Sequence, residues 1–136
     1  MRLCKLMTSA ILLAFSCCAA VAQDATVAAA KNYKIEFEND LVRIVRVNYA
    51  PHEKSPMHEH QGSAVVIVVL KGGGRMHYIN GDGTTSEGKE EQADSVRFVP
   101  AREPFKHASE NVTDRPIETI RVELKTGPPS KPCGAQ

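Results

Sequence analysis

"SPMHEHQGSAVVIVVLKGG", residues 55–73, is the stretch on which the reading of this chain turns. It sets His58 and His60 one residue apart, directly ahead of Ala64-Val65-Val66-Ile67-Val68-Val69-Leu70. A β-branched run of that length, apolar at both parities, predicts a strand buried on both faces. Successive strand side chains point to opposite faces, so His58 and His60 point the same way if their segment is extended. Two imidazoles on one face can bind one cation, with metal–nitrogen bonds of about 2.0–2.1 Å. Such a pair is weak evidence alone, because short sequences produce it by chance.

The flanking sequence reads as more strands separated by turns. "LVRIVRVNYA" (41–50) is rich in Val and Ile, and Arg43 and Arg46 fall on opposite parities, which predicts a bulge or two partly exposed faces. "GRMHYIN" (74–80) follows a glycine turn, and "NGDG" (80–83) is a hairpin signal because Asn and Gly tolerate positive φ. "SVRFVP" (95–100) puts Val96 and Phe98 on one face. "IETIRVELK" (117–125) alternates Ile120, Val122 and Leu124 with Thr119, Arg121, Glu123 and Lys125. Nothing from 31 to 125 sustains a helical period. Many short strands with turn signals imply an all-β sandwich or barrel. Among these a jelly roll fits best, since it buries one face of each strand around a space that a small ligand or metal can share.

The ends are read apart from the fold. Residues 1–22 carry Arg2 and Lys5, an apolar stretch through Ile11 to Phe15, and Ala20-Val21-Ala22, the pattern of a cleaved secretory signal peptide. The stretch is shorter than the roughly 20 residues that span a bilayer, so no membrane association is expected after cleavage. A lipid anchor on Cys17 or Cys18 is the alternative, disfavoured by Phe15 and Ser16. Residues 23–32 read as a flexible leader, 33–125 as a single domain, and 126–136, with three prolines, as a disordered tail. The mature protein is expected in the periplasm or secreted. It keeps only Cys133, so no disulfide forms within a monomer and stability must come from the core. Its 15 basic and 16 acidic residues give no support for nucleic-acid binding.

The histidine stretch resembles the first motif of the cupin superfamily, in which a glycine precedes HxH by five residues, a glutamate follows it and a second glycine closes the motif. His58 and His60 match the pair, Gly72 the closing glycine, and Pro51 stands just before the opening position. His52 occupies the first glycine's place and Val65 the glutamate's. "HASEN" supplies His107 and Asn111 at the spacing of the second motif, with Pro100 upstream, Asp94 in place of a glycine, and a loop two residues longer than usual.

The resemblance implies a single-domain cupin-type jelly-roll β-barrel in which His58, His60 and His107 converge on a divalent metal ion (Fe, Zn, Ni, Cu or Mn), or on an empty site, since Val65 removes a carboxylate ligand. Three neutral ligands would leave the ion its full charge, which favours an anionic substrate or a deprotonated water. Protonation of free imidazoles would loosen the metal below about pH 6. Glu53 and Glu103, in loops, are candidate replacements for the carboxylate, whereas Glu59 should face away. His77 is either an acid–base group beside the metal or an exposed strand histidine, and Arg102 and Lys106 flank His107, where they can attract a carboxylate. His52 is expected in solvent, Asn111 in a turn, and Tyr49 and Phe98 in the core. The expected partner is a small-molecule ligand, with "AVVIVVL" as a homodimer interface. Two functions remain open: a metal-dependent oxygenase or isomerase, and a non-catalytic metal- or ligand-binding module.

Overall fold

A computed structural model describes residues 23–125. The segments expected to be a signal peptide (1–22) and a tail (126–136), and all four cysteines, lie outside the described residues. One short helix, α1 (Ala25–Ala28), precedes nine strands: β1 (Tyr33–Glu38), β2 (Val42–Tyr49), β3 (His58–His60), β4 (Ala64–Lys71), β5 (Met76–Asn80), β6 (Thr85–Glu87), β7 (Val96–Val99), β8 (Phe105–Asn111) and β9 (Ile117–Leu124). They form two antiparallel sheets, one of order β1-β2-β9-β4-β7 and one of order β3-β8-β5-β6. The all-β jelly-roll expectation holds. The β5–β6 hairpin turns at Asn80–Gly83, where Gly83 has φ 84° and Asp82 accepts from the Thr84 N–H at 2.9 Å.

Strand alternation gives the five-stranded sheet an inner and an outer face. Val45, Val47 and Tyr49 of β2, Val65, Ile67 and Val69 of β4, and Ile117 of β9 are buried inside. Burying each such side chain contributes about 1.5–3 kcal/mol. Met76 of the other sheet joins the cluster formed by Tyr33, Val45, Val47 and Tyr49, so the inner faces oppose one another. Of the two outcomes expected for β2, a bulge or two partly exposed faces, the second holds: β2 pairs with β9 without a shift, and the irregularity lies in β1, between Ile35 and Phe37. Arg43 and Arg46 instead take opposite faces. Arg43 is drawn inward by Glu123 and Asp24, and Arg46 pairs outside with Glu36 and Glu118.

Three expectations are corrected. The leader is not loose: Asp24 caps α1 by accepting from the Thr26 N–H at 2.9 Å, and Ala25, Ala29 and Asn32 are buried. Asp24 also accepts two bonds from Arg43 at 3.0 Å, and the Gln23 carbonyl accepts from the Glu59 N–H at 2.9 Å. These distant partners are invisible in a short Ala-rich string. Phe98, expected in the core, lies with Val96 on the outer face, where the two are 61% and 65% exposed. Finally, β4 is buried on its odd face alone within this chain, while Val66 and Val68 are only half-buried.

Candidate metal centre

Strand pairing assembles the three histidines. β3 consists of His58, Glu59 and His60, and its antiparallel register with β8 sets His58 opposite His107 and His60 opposite Phe105. Alternation puts both β3 histidines on the inner face, and the ladder adds the third beside them. Ring centroids are 4.9 Å apart for His58–His60, 4.8 Å for His58–His107 and 5.1 Å for His60–His107. One ligand nitrogen from each ring lies within 4.8 Å of the others, and all three residues are buried.

Their surroundings lock the rings. His58 Nδ1 is 2.8 Å from the Pro56 carbonyl, which can only accept, so Nδ1 carries the proton and Nε2 keeps a lone pair for the cluster. His60 stacks on Phe105, His107 stacks on Tyr78, and Tyr33 packs against His58 and His60. The Nε2 atoms of all three histidines are buried without a hydrogen-bond partner. Three orphaned lone-pair donors facing one space are costly unless something fills it. Burial is also the first cause that holds their pKa values below the ordinary 6.5: His60 is pushed down to about 2 and His107 to about 3, with the Arg121 guanidinium adding to both, and His58 moves the same way. His60 and His107 therefore stay neutral well below pH 6. This donor set fits a divalent metal ion, and proton competition begins at lower pH than free imidazole implies.

The motif departures are accounted for by backbone geometry. His52 and Asp94, which stand where the cupin pattern has glycines, are the two non-glycine residues with positive φ among the described residues, at 57° and 60°. His and Asp tolerate this region better than most side chains. Gly72 is required by proximity: a Cβ there would lie 2.3 Å from the Ala93 nitrogen and 2.5 Å from the Glu91 carbonyl oxygen. The long loop before β8 leaves the His107 register intact.

Other candidate residues lie elsewhere. Val65 points inward, and no carboxylate among the described residues joins the histidines in its place. Glu53 is held by Lys31 and the Ala50 N–H, Glu59 approaches Lys106 at 3.8 Å, and Glu103 is exposed in its loop. His77 alternates with the cavity residues Met76 and Tyr78 and so faces away from the metal centre. His52 is exposed and bonded to Asp114 at 2.8 Å. Asn111 is fully buried and organises the turn after β8, donating to the Ala50 and Arg115 carbonyls.

Beside the histidines lies a cavity of about 300 Å³, walled by residues of both sheets. Sequence reasoning missed its polar wall. Thr119, Arg121 and Glu123, together with Arg97 of β7, line the cavity, while their apolar neighbours Ile120, Val122, Val96 and Phe98 face outward. Their alternation was visible, but not which face of β9 and β7 looks inward.

No family model matches the chain, and no curated protein matches it. Its structure resembles a cupin domain protein from Bordetella pertussis, with TM-score 0.56 and 17% identity over 69% of this chain and 92% of that one. It also resembles a double-stranded β-helix domain protein from Klebsiella pneumoniae, with TM-score 0.49 and 17% identity over 68% and 75% of the two chains. A further match is the oxalate decarboxylase of Bacillus subtilis, a protein with Mn(II) centres, at TM-score 0.45 and 20% identity over 77% and 25%. The topology, and the first of these likenesses, show that the chain has the double-stranded β-helix fold of the cupin superfamily.

Proposed function

We propose that the protein is an exported cupin that holds a divalent metal ion on His58, His60 and His107 and binds a small organic molecule in the adjoining cavity. One observation carries this reading: three buried Nε2 atoms meet with no partner of their own. A divalent ion held there supplies Lewis acidity toward an oxygen atom of a bound molecule. The chain's part is to exclude water through Tyr33, Tyr78 and Phe105, to fix the His58 tautomer through the Pro56 carbonyl, and to orient the molecule against the inner wall. Oxygenation and isomerisation both suit such a site, and the fold alone does not choose between them. Cobalt(II) titration tests the reading: wild type should develop visible ligand-field absorption at one equivalent, and His107→Ala should not. Equal spectra for the two proteins would refute it.

A non-catalytic binding module is the second reading, favoured by Val65 in the carboxylate position and by the absence, among the described residues, of any Asp or Glu from the histidine cluster. The readings part on whether a bound compound leaves the metal-loaded protein chemically changed, which mass spectrometry of released ligand would show. Export is supported by the N-terminal sequence pattern, and no helix among the described residues is long and apolar enough to cross a membrane. A homodimer is supported by an apolar cross-strand row on the outer face, Phe37, Ile44, Val122, Val66 and Phe98, with Val68, Ile120 and Val96 beside it. Such a continuous apolar patch is unusual on a monomer.

A further inference from the structure

Arg121 is placed in the cavity by register. It sits on β9 between Val45 of β2 and Ile67 of β4, both buried inward-facing residues, so its guanidinium emerges from the apolar inner wall. The acidic groups nearby are already engaged. Glu123 accepts from Arg43 Nε at 2.7 Å and pairs with a second Arg43 nitrogen at 2.6 Å, and Arg43 also holds Asp24. Glu91 pairs with Arg97 at 2.8 Å. Glu123 reaches Arg121 only at 3.8 Å, and Arg121 Nε is buried with no hydrogen-bond partner. A second guanidinium lines the cavity: that of Arg102, whose backbone N–H donates to the Gly62 carbonyl at 2.8 Å, lies 3.4 Å over the Phe105 ring, which stacks on His60. No carboxylate pairs with Arg102 among the described residues. The carboxylates that line the cavity are thus engaged by Arg43 and Arg97, while Arg121 Nε and the Arg102 guanidinium have no close carboxylate among the described residues, beside three neutral imidazoles.

We propose that Arg121, aided by Arg102, recognises an anion, and that the small molecule is an organic carboxylate lying between the guanidinium and the histidine cluster. This rests on the reading of the cavity as a ligand site. A carboxylate suits the planar guanidinium fork, which it can engage with two parallel hydrogen bonds. The 300 Å³ space and the apolar wall of Val65, Ile67 and Val99 leave room for a carbon skeleton that inorganic phosphate does not have. Arg121 is a binding residue, and its unpartnered Nε is explained by the ligand that satisfies it.

Calorimetric titration of zinc-loaded protein with malonate, its uncharged diamide malonamide, and inorganic phosphate tests the assignment. Wild type should bind malonate more tightly than malonamide or phosphate. Arg121→Gln should weaken malonate at least about tenfold, the loss of a charged hydrogen-bonded pair, and leave malonamide unchanged. Arg102→Gln, in an exposed loop and safe for folding, should weaken malonate about threefold. Equal malonate affinity in wild type and Arg121→Gln, or in wild type and Arg102→Gln should Arg121→Gln fail to fold, overturns the proposal. So does a wild type that prefers malonamide or phosphate. Elemental analysis of the same samples separates the two claims. Metal-loaded protein whose malonate binding ignores both arginines overturns this inference and spares the metal site. Metal-free protein that binds malonate through Arg121 supports this inference and overturns the metal site.

Discussion

Within the five-stranded sheet, β9 and β7 invert the usual distribution of polarity, whereas β2 and β4 keep it. Toward the cavity, β9 and β7 present Thr119, Arg121, Glu123 and Arg97, and toward the outside they present Ile120, Val122, Val96 and Phe98. On β2 and β4 the inner face is apolar, with Val45, Val47, Val65, Ile67 and Val69 buried. The contrast teaches that an alternating strand reports two different environments without naming them. In a solid sandwich the apolar face goes in, but a jelly roll built around a polar cavity can turn it out, where another surface can cover it.

The largest test of the comparison addresses the inner face through acidity. Burial lowers the folded pKa values of His58, His60 and His107 below the unfolded 6.5, to about 2 for His60 and about 3 for His107. Between those values and 6.5 the unfolded chain binds more protons, so stability rises with pH across this window and is lost on acidification. Metal-free protein should lose about 1.4 kcal/mol per pH unit for each of His60 and His107 below about pH 6, seen as a falling urea midpoint. His60→Ala should flatten that slope, and an unchanged slope would mean that the rings are not buried neutral.

The outer face is next. Val66→Glu with Phe98→Glu should convert a dimer to a monomer in light scattering while leaving metal binding intact, because both side chains point away from the cavity. Wild-type protein that is already monomeric would remove the interface. Asp24→Ala should cost about 1–2 kcal/mol, combining a lost helix cap with a partly buried ion pair, which thermal denaturation would register. A smaller effect would show that the segment before β1 packs without them. Least is expected of Val65→Glu. It adds an inward carboxylate and should tighten metal binding by about 1.4 kcal/mol, roughly tenfold, opposed by Glu123 in the cross-strand position.

The contrast also marks how far the sequence could be read. HxH before a β-branched run, together with a distant histidine before a matched asparagine, made the fold and the cluster legible, because both depend on local alternation and motif spacing. His52 and Asp94 were read as departures from a pattern, and their positive φ shows that the backbone shape survived the exchange of glycine for residues that tolerate it. Arg121 was not legible. Its role depends on the face β9 turns inward, on Arg43 claiming Glu123 from 80 positions away, and on Asp24, 19 positions before Arg43, arriving from a segment read as loose. Phe98 was misplaced for the same reason, since nothing in "SVRFVP" says which parity meets the cavity.

The account stands on one stoichiometry. Elemental analysis of protein purified from the periplasm, beside a His58→Ala/His60→Ala double variant, should find close to one transition-metal ion per wild-type chain and essentially none in the variant. Wild-type protein that stays metal-free after reconstitution with iron, nickel, zinc, copper and manganese, or a variant that retains as much metal as wild type, would contradict it.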